Sequence, residues 1–337
     1  MSKPDQVTTA SQIFGWYEAK AEDFREHLGA SLIGHNCNRY LWLNFRWAVK
    51  PKFEGRILRL FNTGHREEAR IHEELRGIGV ELHVEENGKQ ITCRNDSGHF
   101  GGSVDGVGKG FVENPNVWAV LECKTMKDKA FTKLSAWCVE TEKPQHFAQM
   151  QVYMGLLKLD AAMYIAINKN TDAIYTEWIT ADNAVFKQYN HRANTIVEAK
   201  TAPLKLSDDP TYWECKFCDM YRLCHHAEPA QINCRTCAHS TPVANGKWRC
   251  ELADTFLTGA DQRKGCDQHL LIPDFVHGAE PIDAGVNFIE YKDKETGEIF
   301  THGKKVALPR DSLAKRQAEG RKRGSNNGVP FNDEVPF

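Results

Sequence analysis

An apolar run that ends in charge constrains this chain more than any other feature in it. Val117 to Leu121 reads as a buried strand, and it runs directly into Glu122-Cys123-Lys124. Side chains alternate faces along a strand, so Glu122 and Lys124 point one way and Cys123 the other. Upstream, in GGSVDGVGKG, Asp105 stands in a Gly-flanked turn or strand end. An acid and a base on one face at the end of a buried strand are costly unless something compensates them. A surface ion pair at the strand terminus is one answer. A divalent metal held by Asp105 and Glu122, with Lys124 beside it, is the other.

The segments on either side supply more of the same chemistry. Phe14, Tyr17, Ala21, Phe24 and Leu28 are spaced as one helical face, predicting a helix over 11–31, and Cys37, Leu41 and Phe45 predict a second over 35–48. A third helix, over 52–76, carries Ile57, Phe61, Gly64, Glu68, Ile71 and Leu75 as one continuous stripe. Glu68 interrupts that apolar stripe, and a carboxylate aimed at a core needs a partner, either an arginine or a shared metal. Short strands and turns follow over 80–112, then a helix near 128–137. Pro144 opens the next helix, on which Gln149 and Tyr153 sit four apart. Met163–Ile167 and Ala173–Ile179 read as strands, the first apolar throughout, and a helix near 183–199 closes the unit. The order predicts an α/β fold: a mixed sheet with helices packed on both faces.

Glu68 in a helix, then Asp105…Glu122-Cys123-Lys124, then Gln149-x-x-x-Tyr153, resembles the PD-(D/E)xK nuclease superfamily over about residues 30–230. The run Gly64-His65-Arg66-Glu67-Glu68-Ala69 is similar to the helical acid motif of its lambda-exonuclease and YqaJ-type members. Gln149 and Tyr153 stand where the RecB-like branch carries its own pair. Val104 replaces the signature proline. The resemblance implies a restriction-endonuclease-like core and hydrolysis of phosphodiester bonds. Glu68, Asp105 and Glu122 would hold Mg²⁺ or Mn²⁺, as hard oxygen ligands suit, with the Cys123 backbone carbonyl as a further ligand. Lys124 would orient or help deprotonate the attacking water, and Gln149 and Tyr153 would hold the DNA backbone or a terminal nucleotide.

The cysteines, eleven in all, add two clusters. Cys215-x2-Cys218-x5-Cys224 is a compact triad that wants a fourth soft ligand, and Cys37 is the candidate. An early lone cysteine followed by this triad resembles the iron–sulphur collar of AddB and of the CRISPR adaptation nucleases, which implies a [4Fe–4S] cluster, with Zn²⁺ as the alternative. Cys234-x2-Cys237-x12-Cys250-x15-Cys266, with His239 and His269 nearby, reads as a zinc-ribbon-like module with a second half that lacks a CxxC. Cys93, Cys123 and Cys138 are left over as ordinary thiols.

Four segments are expected: a nuclease domain with its collar over 1–230, the zinc-ribbon-like module over 231–275, a β-hairpin extension over 276–309, and a disordered tail over 310–337. The tail ends in Asp333-Glu334-Val335-Pro336-Phe337, which looks like the acidic tip of bacterial single-strand DNA-binding proteins. That likeness implies capture of host proteins that read such tips. The net charge of −2 gives no global attraction to nucleic acid, so DNA binding must come from a local groove. No apolar run reaches the roughly 18 residues of a membrane span, and the first residues form no signal-peptide core, so a cytoplasmic location, that of a bacterial host, is expected. The expected function is a metal-dependent DNA exonuclease of phage-type recombination or replication. A CRISPR-adaptation-like nuclease and a non-catalytic DNA-binding module are the alternatives.

Overall fold

Three helices and a turn-rich stretch lead into the sheet. A computed structural model describes residues 7–20, 23–50 and 52–303; the acidic tip and its tether lie outside the described residues. Helix α1 spans Thr9–Glu18, capped by the Thr8 hydroxyl on the Ser11 amide. Strand β1 is Leu28–Gly29, α2 is Asn38–Phe45 and α3 is Gly55–Gly77. The helix expected over 11–31 therefore stops at Glu18. Tertiary contacts claim the rest of its apolar stripe: Phe24 stacks on Trp47 with centroids 5.1 Å apart, and Leu28 pairs in parallel with Phe100. Cys37 does not lie within α2 but caps it, its sulphur accepting from the Tyr40 amide at 3.4 Å.

Short strands β2 (Glu81–His83), β3 (Glu85–Glu86), β4 (Lys89–Gln90), β5 (Thr92–Arg94), β6 (Phe100–Ser103) and β7 (Gly106–Lys109) precede the long strand β8, Ala119–Met126. Then come α4 (Asp128–Ala136), α5 (Val139–Glu142), α6 (Pro144–Leu157), β9 (Ala161–Asn168), β10 (Ile174–Thr180) and α7 (Asn183–Glu198). The central sheet has five strands in the order β10-β9-β8-β7-β2. Only β8 and β9 run parallel, so the sheet is mixed, as expected.

The two faces of β8 enter different cores. Ala119 and Leu121 pack with Ile71 and Leu75 of α3, while Val120 and Met126 pack with Ala148, Met150 and Val152 of α6. Helices thus cover both faces. The strand does not end in Glu122-Cys123-Lys124, as its sequence implied, but continues to Met126. Its pairing with β9 continues from Ala119↔Ala161 to Met126↔Asn168, which carries Glu122 and Lys124 into the interior of the sheet.

The C-terminal third comprises α8 (Trp213–Lys216), α9 (Tyr221–His225), the three-stranded sheet β11 (Ser240–Val243), β12 (Lys247–Cys250) and β13 (Thr255–Leu257), then α10 (Gly259–Gln262). A second three-stranded sheet holds β14 (Ala279–Gly285), β15 (Phe288–Asp293) and β16 (Ile299–Gly303), one strand more than the expected hairpin. Asn245 and Gly246, both at positive φ, make the tight β11–β12 turn. Trp248, Leu270, Phe275 and Tyr291 share a core with Leu41, Trp42 and Phe45 of α2. Trp42 stacks on Phe275 at 5.3 Å.

Candidate active site

Asp105 lies in the two-residue break where the chain leaves β6 for β7, close to the edge of β8. The β7–β8 pairing reaches only as far as Gly106↔Leu121, which leaves the next inward-facing amide of β8 free on that side. The Asp105 carboxylate takes it: Oδ2 accepts from the Cys123 backbone N–H at 2.7 Å. Backbone geometry thus places this acid beside the Glu-Cys-Lys run.

Glu122 and Lys124 share the face of β8 that looks toward α6, as alternation requires. Lys124 Nζ donates to Glu122 Oε1 in a tight ion pair. Glu122 is fully buried, and its second oxygen, Oε2, has no hydrogen-bond partner among the described residues. Burial pushes the Glu122 carboxyl up, opposed by the Lys124 charge and reinforced by Asp105 and Glu68. Burial works against the Lys124 cation as well, yet Glu122 and Asp105 more than offset it and hold the ammonium protonated well above its ordinary value.

Glu68 approaches from α3, half-buried in the stripe that its neighbours Ile71 and Leu75 bury. Burial, with Asp105 adding repulsion and Lys124 opposing, pushes its carboxyl up to about 7. One turn on, His72 was not singled out by its sequence context. It is buried, its ring bonds to the Asp105 backbone, and its Nε2 lies 4.0 Å from Glu68 Oε1 with no hydrogen-bond partner among the described residues. The i, i+4 spacing from Glu68 was the available signal; an imidazole beside three charged residues reads otherwise as a core histidine.

Gln149 and Tyr153 face this centre from α6, though both are buried rather than displayed on a groove. Gln149 Nε2 donates to the Tyr153 hydroxyl at 3.4 Å. That hydroxyl occupies the space above Gly102, where an added Cβ would sit 2.4 Å away. His146, one turn before Gln149, is bonded to the hydroxyl of Tyr164, which pairs across from Glu122 on β9.

The structure therefore gathers Glu68, Asp105, Glu122 and Lys124 into one electrostatic neighbourhood. Among the described residues, no group of three or more His, Cys, Asp or Glu side chains is placed to hold a metal ion. By ligand type, carboxylates suit a hard divalent cation. A buried carboxylate oxygen without a partner, beside two further carboxylates, is relieved by positive charge.

Cys37, Cys215, Cys218 and Cys224 line one pocket, together with His35 and His225. A charge on Cys37 would act on each of the other three. The Met220 amide donates to Cys218 Sγ at 3.4 Å. Cys93 is buried, and Cys123 packs against the α3 side of the sheet.

No protein-family model matches the chain, and no curated protein does. Among solved structures, it is similar to one titled SSO0001, at 14% identity and a TM-score of 0.37, over 65% of this chain and 96% of that one. It is also similar to an alkaline exonuclease from Laribacter hongkongensis, at 13% identity and a TM-score of 0.37, over 54% of this chain and 90% of that one. The same exonuclease in complex with dAMP aligns at 13% identity and a TM-score of 0.36, over 55% and 89%. These likenesses are too loose to assign an activity. No helix among the described residues is long and apolar enough to cross a membrane.

Proposed function

We propose that this chain is a divalent-metal-dependent deoxyribonuclease that degrades linear DNA from its ends, of the kind used in phage-type recombination or replication. One observation carries the reading: a fully buried glutamate with an orphaned oxygen, ion-paired to a lysine two residues on, with Asp105 tied to the amide between them. A protein that only binds DNA gains nothing from burying such a set, since isolated buried charge costs several kcal/mol.

Mg²⁺ or Mn²⁺ held by Glu68, Asp105 and Glu122, with the Cys123 carbonyl, would polarise the phosphate and make water nucleophilic near neutral pH. The chain's own residues do the rest. Lys124 stays cationic, so it donates rather than accepts, orienting the attacking water and countering charge that builds on the phosphate oxygens. Asp105 keeps its direction because the Cys123 amide fixes one oxygen. Gln149 and Tyr153 shape the wall on the α6 side, where a terminal nucleotide would seat. Cys37, Cys215, Cys218 and Cys224 would hold a [4Fe–4S] cluster, or zinc, that ties the entry to α2 to the segment after α7.

The test is a time course on linear duplex labelled at the 5′ or the 3′ end, with Mg²⁺ or with EDTA, beside closed circular DNA. Progressive loss of label from linear DNA only, abolished by EDTA, is expected. Binding of both DNAs without cleavage in Mg²⁺ or Mn²⁺ would leave a non-catalytic DNA-binding module in its place.

A further inference from the structure

We propose that Cys234, Cys237, Cys250 and Cys266 form a four-thiolate structural zinc site that clamps the C-terminal sheets onto α2. Backbone contacts bring the segments that carry these thiols together; among the described residues no three of them already stand as a ligating set, so binding would draw them in. Cys234 and Cys237 flank a 3₁₀ turn capped by Asn233, whose side chain accepts from the Arg235 and Thr236 amides. The turn presents Cys237 Sγ to two backbone donors, Leu270 at 3.4 Å and His239. Amide donors onto sulphur stabilise the thiolate that a metal needs.

The β11–β12 pairing brings the third thiol back. Cys250 lies across from Ser240, and the Ser240 amide is itself bonded to the Cys237 carbonyl. The fourth comes with the loop after α10. Cys234 Sγ donates to the carbonyls of Asp261 at 3.3 Å and Lys264 at 3.2 Å, so the knuckle touches the loop that carries Cys266. Charges on Cys237, Cys266 and Cys250 would all bear on Cys234.

The nearby histidines each commit Nε2 to another group. His239 Nε2 pairs with Asn287 Oδ1 at 2.8 Å, and His269 Nε2 with the Asn233 carbonyl at 3.0 Å. Four thiolates select zinc over hard cations. Binding requires the thiols to release protons, including the one Cys234 now gives to two carbonyls.

One of the two residues between the knuckle cysteines shows what the site would hold. Arg235 is buried, its guanidinium 3.7 Å from the Trp47 ring centroid. It donates to the carbonyls of Phe45 at 3.1 Å and Glu26 at 2.8 Å. Ordering the knuckle therefore orders the contact with the end of α2.

The experiment is elemental analysis of the full-length chain after extensive dialysis, for wild type, Cys250→Ser and Cys224→Ser. About one zinc per chain is expected in wild type. It should be lost in Cys250→Ser and kept in Cys224→Ser, which alters the other cysteine cluster. Replacement by Co²⁺ should give the visible d–d and near-ultraviolet thiolate bands of a tetrahedral sulphur site. If Cys250→Ser does not fold, stripping zinc from wild type with a thiol-modifying mercurial reads the same site, releasing zinc in step with four thiols. Zinc absent from a folded wild type, or unchanged in folded Cys250→Ser, overturns the proposal.

Discussion

Lys124 and Glu122 illustrate how far two residues can be read before their surroundings are known. Alternation along a strand put them on one face, and so they are. Their depth was not legible, because a strand's end depends on its partner: β9 continues the pairing past Glu122 to Met126. The consequence is energetic. Lys124→Ala strands a fully buried carboxylate and should destabilise the fold by about 3 kcal/mol. Adding Glu122→Gln to that variant should recover most of the loss, while neither protein regains activity; urea unfolding of the single and double variants measures this. Equal stability of wild type and Lys124→Ala would mean that Glu122 is not held as a charge. Glu68 gives a pH signature. With its carboxyl raised from 4.5 to about 7, the folded chain keeps a proton that the unfolded chain has already lost. Its contribution therefore favours folding below that window and is lost as pH rises through about 7. In EDTA, melting temperature should fall more steeply between about pH 5 and pH 8 for wild type than for Glu68→Gln. The comparison cancels buried histidines such as His27 and His269, whose lowered values act in the opposite direction.

At the scale of elements, periodicity found what local sequence controls. Helices α3, α6 and α7 begin and end within a few residues of their expected bounds, because each pairs a long apolar stripe with a proline or Asp cap at its start or a Gly at its end. The helix expected through 19–31 failed for a non-local reason: Leu28 bonds to the His99 carbonyl and joins a sheet seventy residues away in sequence. The position of Asp105 was similarly hidden. Its carboxylate is aimed by an amide that β7 leaves unpaired, a property of the pairing and not of the Gly-flanked turn alone. Cys37 was legible as a distant partner of the triad by its chemistry, but its role as the cap of α2 was not. If it ligates a cluster, anaerobically purified protein should contain iron and sulphide, and Cys37→Ser should lose both along with several degrees of thermal stability. A second zinc per chain in wild type, without iron or sulphide and lost in Cys37→Ser, would leave a zinc site there.

Across the whole molecule, the sequence divides where the core does not. Composition shifts and cysteine spacing suggest separate modules after residue 230, yet Arg46 of the N-terminal half donates to the carbonyls of Arg235 and Ser240, and Trp248 packs against Phe45. Such contacts join segments two hundred residues apart, and no local pattern announces them. The same long reach builds the centre, where α3, the β6–β7 turn and β8 each contribute an acid. The claim that this centre hydrolyses DNA is tested most directly by one comparison: cleavage of end-labelled linear duplex in Mg²⁺ by wild type and by Glu122→Gln, a near-isosteric change that removes one charge. The rate should fall by on the order of 10²–10⁴, with DNA binding retained and the circular dichroism spectrum of the folded chain unchanged. Cleavage by Glu122→Gln at the wild-type rate would contradict the account, because the activity would then reside somewhere other than this centre.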